Sequence, residues 1–413
     1  MPPSALQPSR FVNPLWSEDG RIDRLVLAAA QQIAERGLSG ATARSIAATA
    51  GCAASAINYN FGSLEQLLSV AFDLGQTKAR AWLAERADEI AALPLTRAGA
   101  PLALEHLIVQ WTGAARPLAL LYQEDLAARP ETAAASWAQL WRNFWLETAT
   151  RFALGEIDGR LMHLIFETEA LYNLSTWSPA LEPAALGEIC GHLGEVWLGA
   201  GPAAPRGALA LAERAAGVIT AEEVPPAAAK IAEAAASVID ARGLAGLTHR
   251  AVATQAGLTT GAVTHHFRTI EDLVAGAIRG QVLVLARRAA GPDGSPLDQV
   301  ATAEDFSAII RRFVVEDRDA VSRIDRRGLF LAAVRRPEMA SAGAVIRFAH
   351  GATTRNGLAR AFDLEEPALT LTAGLVSRLL SSLPLGCAGE ASPQRMGLVL
   401  VDEILGRLGS ADS

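Results

Sequence analysis

Residues 28–68 read AAAQQIAERGLSGATARSIAATAGCAASAINYNFGSLEQLL, and residues 234–274 read AAASVIDARGLAGLTHRAVATQAGLTTGAVTHHFRTIEDLV. The two stretches align at an offset of 206 with no gap, and 17 of 41 positions are identical. The identities cluster. Arg36-Gly37-Leu38 matches Arg242-Gly243-Leu244, and Thr42-x-Arg44 matches Thr248-x-Arg250. Ala50-Gly51 pairs with Ala256-Gly257, Phe61 with Phe267, and Glu65 with Glu271.

Local chemistry predicts a helix-turn-helix in each copy. Thr42 can cap a helix through its hydroxyl, and that helix runs to Ala50. Gly51 supplies the tight turn, where a positive φ costs glycine little. A second short helix is expected from about Ala53 to Asn58 or Tyr59, crossing the first closely because Ala47 and Ala50 are small. This second helix is the candidate for a DNA major groove. Ser63-Leu64-Glu65-Gln66 reads as a capping box opening a fourth helix. Thr248, Gly257 and Thr269 take the corresponding places in the second copy. One chain would then hold two DNA readers, a pairing more often supplied by two chains.

The rest of the chain also reads as helix. Ile22, Leu25, Val26, Ala29 and Ile33 share one helical face, as do Ala228, Ile231, Ala232, Ala235 and Ile239. Strand-type alternation is missing, so the fold class is all-α. The repeat reaches past the readers, since Arg129-Pro130-Glu131 returns as Arg336-Pro337-Glu338 at an offset of 207. Two units of about 200 residues follow. The expected division is a reader at 17–68, a helical regulatory domain at 69–200 and an Ala/Gly/Pro-rich linker at 201–226 with room for one short helix. A second reader at 227–275 and a second regulatory domain at 276–410 complete it.

Bulk composition narrows the class. Half the residues are hydrophobic and 20% are charged, enough for a large core. Charges, Pro or Gly interrupt each apolar stretch before a bilayer span of roughly 18 residues, and no signal peptide is read at the N-terminus. No membrane partner is expected. Cys52, Cys190 and Cys387 form no metal spacing, and so sparse a set fits a reducing cytoplasm. Cys52 is expected to be a small buried residue, with a redox thiol as the minor alternative. The net charge of −7 is uneven. Residues 21–68 set Arg21, Arg24, Arg36 and Arg44 against Asp23, Glu35 and Glu65, and residues 227–274 are neutral. DNA binding is thus permitted, with few ionic phosphate contacts. No nucleophile–base pair, metal cluster or phosphate loop stands out, so neither an enzyme nor a cofactor is expected.

The ordered motifs Arg-Gly-Leu, Thr-x-Arg, Ala-Gly and Ala-Ile-Asn-Tyr-Asn-Phe-Gly-Ser-x-Glu resemble the DNA-binding domain of the tetracycline-repressor (TetR) family. The resemblance is strong over about 48 residues of each copy and covers the remainder only in layout. It implies three N-terminal helices that read double-stranded operator DNA. It also implies a C-terminal helical domain that binds a small effector and pairs through its last two helices, most often in a repressor. By position, Thr42, Arg44, Tyr59 and the helix end at Ser63 would hold phosphates, with Ala54, Ser55, Asn58 and Asn60 facing the groove. In the second copy Thr248, Arg250, His265 and Thr269 would take the backbone, and Thr260, Gly261, Thr264 and His266 the groove. Two departures weaken the match. The family's frequent Lys before the fourth-helix Glu is Leu64 or Ile270, and its frequent recognition-helix Tyr is Asn58 or Thr264. The alternative reading is therefore an interaction protein that has lost one or both DNA-reading activities.

Seven of eight tryptophans lie between the first reader and the linker, and the second half has neither Trp nor Tyr. Trp137, Trp141 and Trp145 recur every four residues and form a stripe on one helix face. The stripe is either core packing or the wall of an effector pocket. For the pocket, Trp111, Tyr122, Trp141, Trp145, His163, Phe166, Glu167 and Tyr172 are the candidate ligand residues, suiting an apolar or aromatic effector. Helices around 158–178 and 182–199 end the first unit, and helices around 365–383 and 393–408 end the second. Both pairs lie in one chain, so an intramolecular pseudo-dimer is expected, with association of two chains as the alternative.

Overall fold

A computed structural model describes residues 24–92, 96–202, 207–220, 225–242, 246–290, 296–316, 327, 330–331, 333–336, 339–348 and 351–411. Ile22, Gly243, Leu244, Pro337 and Glu338 lie outside them. Among the described residues the fold is helical, with no strand. The first reader is α1 (Arg24–Gly40), α2 (Ala43–Ala50) and α3 (Ser55–Phe61). The long α4 (Leu64–Ala91) follows, 28 residues or about 42 Å, and carries the reader into the helical body. It buries Leu67, Ala71 and Phe72 near its start and Ala79, Trp82 and Leu83 further on. The body is α5 (Ala100–Thr112), α6 (Arg116–Ala128), α7 (Pro130–Arg151), α8 (Glu156–Tyr172) and α9 (Glu182–Leu193). Each of α5, α6, α7 and α9 has a proline in its first two positions, where the missing N–H would be unpaired in any case.

The seam holds α10 (Ala208–Thr220). Glu188 caps it by accepting from the Ala208 and Leu209 amides at 2.9 and 2.8 Å. The second reader is α11 (Pro226–Arg242), α12 (His249–Ala256) and α13 (Thr260–His266), followed by α14 (Ile270–Ala290). Its body is α15 (Ala303–Glu316), α16 (Ala340–Phe348), α17 (Ala352–Ala361), α18 (Ala368–Gly386) and α19 (Pro393–Ala411).

The two halves share one hydrophobic core. α8 packs on α18 and α19, α9 packs on α18, and α10 lies against α9 and α16. The last two helices of each half therefore meet within one chain. α18 is long and apolar enough to cross a membrane by length and composition, although Gly374, Arg378 and Pro384 interrupt it. Two-thirds of that stretch is buried inside the protein, as in a core helix. Arg378 lies on it and is paired with Glu169 from α8.

Candidate nucleic-acid interface and aromatic core

In the first reader Thr42 caps α2 by accepting from the Ser45 amide at 3.1 Å, and Ser45 Oγ accepts from the Thr42 amide at 2.9 Å. Gly51 closes the helix at φ 69°. α3 begins two residues later than expected because Ala54, its cap, has no side-chain acceptor, and it extends to Phe61. Only Ile57 of α3 is buried, and it anchors the helix to the core. Thr42, Arg44, Ala54, Ser55, Asn58, Tyr59 and Asn60 all stand in solvent. Tyr59 is 90% exposed, a large ring left uncovered beside the turn. The Asn60 amide donates to Ala56 O at 2.8 Å, so part of its donor capacity is held by its own helix. Ser63 caps α4 through the Gln66 amide at 3.1 Å. Cys52 is exposed in the turn, not buried as expected, because no side chain of the short loop covers it.

The second reader repeats this geometry with different chemistry. Thr248 caps α12, Gly257 closes it at φ 64°, and Thr259 caps α13. Thr248, Arg250, Thr260, Gly261, His265, His266 and Thr269 are exposed. Thr264 is half-buried, and its hydroxyl donates to Thr260 O and Gly261 O, each at 3.1 Å. At the start of α14, Thr269 and Asp272 cap each other at 2.9 and 3.0 Å. Bonds from the Thr269 backbone hold the Asp272 carboxyl below its usual range. A carboxylate therefore occupies the amide end that would otherwise favour a phosphate. The sequence reading missed this acid; its signal was Thr269-x-x-Asp272.

The aromatic candidates come together in the first body. Trp111, Tyr122, Trp141, Trp145, His163, Phe166, Glu167 and Tyr172 are all buried. The Trp141 ring centroid lies 4.1 Å from Phe166 and 4.9 Å from Trp111, and Trp145 lies 5.6 Å from Phe166. Tyr172 faces the other way, 5.4 Å from Phe330 of the second half. The Tyr122 hydroxyl donates to Glu167 Oε2 at 2.5 Å, and His163 Nε2 lies 3.2 Å from Glu167 Oε1. Burial, then the Glu167 charge, push the Tyr122 phenol well above its usual value, so it stays a donor. Trp137 Nε1 donates to the buried Asp125 at 2.8 Å. The indole N–H groups of Trp111, Trp141 and Trp145 meet no acceptor among the described residues. Sequence reasoning missed Asp125, Gln123 and Arg327. Arg327 comes from the second half and donates to Gln123 beside Tyr122.

Residues 25–71 and 231–277 each match the family described as bacterial regulatory proteins, tetR family. The chain belongs to the TetR family. It carries two tandem TetR-type helix-turn-helix units, and it is a DNA-binding transcriptional regulator whose partner is operator DNA. A search of curated proteins returned no match.

Proposed function

We propose that this TetR-family chain is a ligand-responsive repressor whose two unlike readers occupy one operator from within a single chain. One observation carries the reading: two exposed but chemically different recognition helices sit on helical bodies that pack against each other. The proposed division is reader 17–68, body 69–200, linker 201–226, reader 227–275 and body 276–410, working in the cytoplasm. α4 crosses the first boundary unbroken, so a shift in the body would move the reader as a lever.

Charge supports pairing in one chain. Asp158, Glu169 and Glu182 of the first half pair with Arg407, Arg347 and Arg378 of the second. At the 207-residue offset Arg347, Arg378 and Arg407 become Leu140, Leu171 and Ala200, so two first halves would leave these carboxylates without counter-charges and like halves are poor partners. An operator with unequal half-sites follows, since a homodimer must read equal ones and this chain need not. The proposed effector is a small aromatic molecule with acceptor atoms. Among the described residues the buried indole N–H groups of Trp111, Trp141 and Trp145 have no acceptor, each costly while unmet. Ligand would move the readers off the ~34 Å spacing of successive major grooves.

The test is a footprint of the purified chain on DNA flanking its own gene, with the mass of the complex recorded on the same sample. Two unequal protected half-sites with one chain bound is the expected result. Symmetric protection with two chains would reject the single-chain reading. A second reading, in which the second half only braces the first, is favoured by the Asp272 carboxylate at α14. It predicts one protected half-site.

A further inference from the structure

Resting on α2 and α3 as the first reader, we propose that Arg335 and Glu124 are positioning residues for that reader alone. Glu124, on α6, is buried and has two partners on different elements. Its Oε1 lies 2.6 Å from Arg335 Nη1, and its Oε2 accepts from the Leu38 amide at 3.0 Å. Leu38 follows Gly37, whose φ of 73° and ψ of 172° break the helical path of α1. The break turns the Leu38 N–H away from its own helix and toward the carboxylate. A Cβ at Gly37 would stand 3.1 Å from Glu124 Oε1 and 3.3 Å from Arg335 Nη1, so a side chain there would crowd the ion pair as well as strain the positive φ. Arg335 Nη2 also reaches Ile33 O of α1 at 3.4 Å. A side chain of the second half thus clamps the end of the first reader's α1, four residues before Thr42 opens α2.

The clamp is one-sided. At the 207-residue offset, Glu124 becomes Leu331 and Arg335 corresponds to Ala128. The acidic run Tyr122-Gln123-Glu124-Asp125 is replaced by Leu329-Phe330-Leu331-Ala332. A methyl and an isobutyl group cannot form an ion pair, so the first half cannot brace the second reader in this way. Leu331 is instead buried in the core. The first reader is held at a set angle to the body by an ion pair from the other half; among the described residues no ion pair of this kind reaches the second, whose α14 is met instead by Arg336 of its own half at Glu271 O.

The test uses the full chain with Arg335→Ala, Arg335→Lys and Glu124→Gln. The first readout is amide exchange at Leu38, which needs no DNA. Loss of the clamp should speed it by about tenfold in Arg335→Ala, with the amides of α11–α13 unchanged and Arg335→Lys restoring much of the protection. Glu124→Gln keeps an acceptor for Leu38 but loses the charge, so it should fall between parent and Arg335→Ala. The second readout is half-site protection on a duplex selected by the parent chain from a random library. Arg335→Ala should weaken the half-site at which Asn58→Ala relaxes base preference and spare the other. Unchanged Leu38 exchange, or equal acceleration in both readers, would overturn the proposal. So would equal loss at both half-sites. Failure of the parent to select any duplex would reject the DNA reading while leaving the exchange result to judge the clamp.

Discussion

Glu169 Oε2 and Arg347 Nη2 stand 2.9 Å apart, one residue from each half of the chain and both buried. Arg378 takes the other carboxylate oxygen. Burial alone would raise the Glu169 carboxyl, but the Arg378 and Arg347 charges outweigh it and hold it below the usual range. A buried carboxylate between two guanidinium groups makes the contact between the halves specific, since neither arginine has an equally good partner without it.

Glu169→Gln removes the nearest counter-charge of two buried cations, leaving Arg347, among the described residues, only Glu182 at 3.5 Å. A loss of about 3–5 kcal/mol is expected at pH 7, read as a fall in the denaturant midpoint. Because the folded pKa is depressed, the stabilisation is complete above the unfolded carboxylate range and is lost as pH falls through the folded value. The parent should show that acid slope and the variant should lack this part of it. An unchanged midpoint at pH 7 rejects the argument.

His192 on α9 lies 2.9 Å from Thr372 Oγ1 of the second half, and burial lowers its pKa from 6.5 to about 4. The neutral ring is the packed form. Its contribution is whole above the unfolded value of 6.5 and declines as pH falls toward 4. Thermal melts of His192→Gln between those limits should have a shallower pH slope than the parent. A parallel slope would mean that other groups carry the acid sensitivity.

Glu213 on α10 behaves with the opposite sign. Burial raises its pKa to about 7, against the pull of Arg378 and Arg355. Its proton is bound more tightly in the folded state, so stability is present below the unfolded range and lost as pH rises through about 7. Glu213→Gln should melt above the parent at pH 8 and close to it at pH 4. A variant no more stable than the parent at pH 8 would show that water or Arg378 already compensates the charge.

On the DNA face, Arg44 is exposed with its helix held by the Thr42–Ser45 cap. Arg44→Ala should weaken binding to all sequences and reduce the salt slope by about one phosphate contact. Asn58→Ala should instead cost about 1–3 kcal/mol at one base position and relax preference there. Neither should move the melting temperature, because both side chains lie outside the core. Equal loss of sequence preference in both variants would reject this division of roles.

The readers were legible because their determinants are local. Thr42 caps an amide three residues on, and Gly51 turns within the same segment, so spacing alone reveals them. The bounds of α3 slipped where local chemistry is silent: Ala53 and Ala54 cannot cap, whereas Thr259, the counterpart of Ala53, caps the second copy. The tryptophan stripe of α7 was visible from its four-residue period. Its surroundings were not, because Trp137 finds its acceptor on α6 and Trp141 its closest ring on α8.

Sequence by itself determined the helical class, the doubled reader and the residues each recognition helix presents, since periodicity, caps and turns act over a few residues. Only the tertiary structure decided what surrounds Gly37, which carboxylates of the first half meet which arginines of the second, and that Arg335 of the second half reaches the first reader. Those contacts join residues as far apart as Ile33 and Arg335. They depend on how α6, α8 and α18 pack, which no spacing along the chain records.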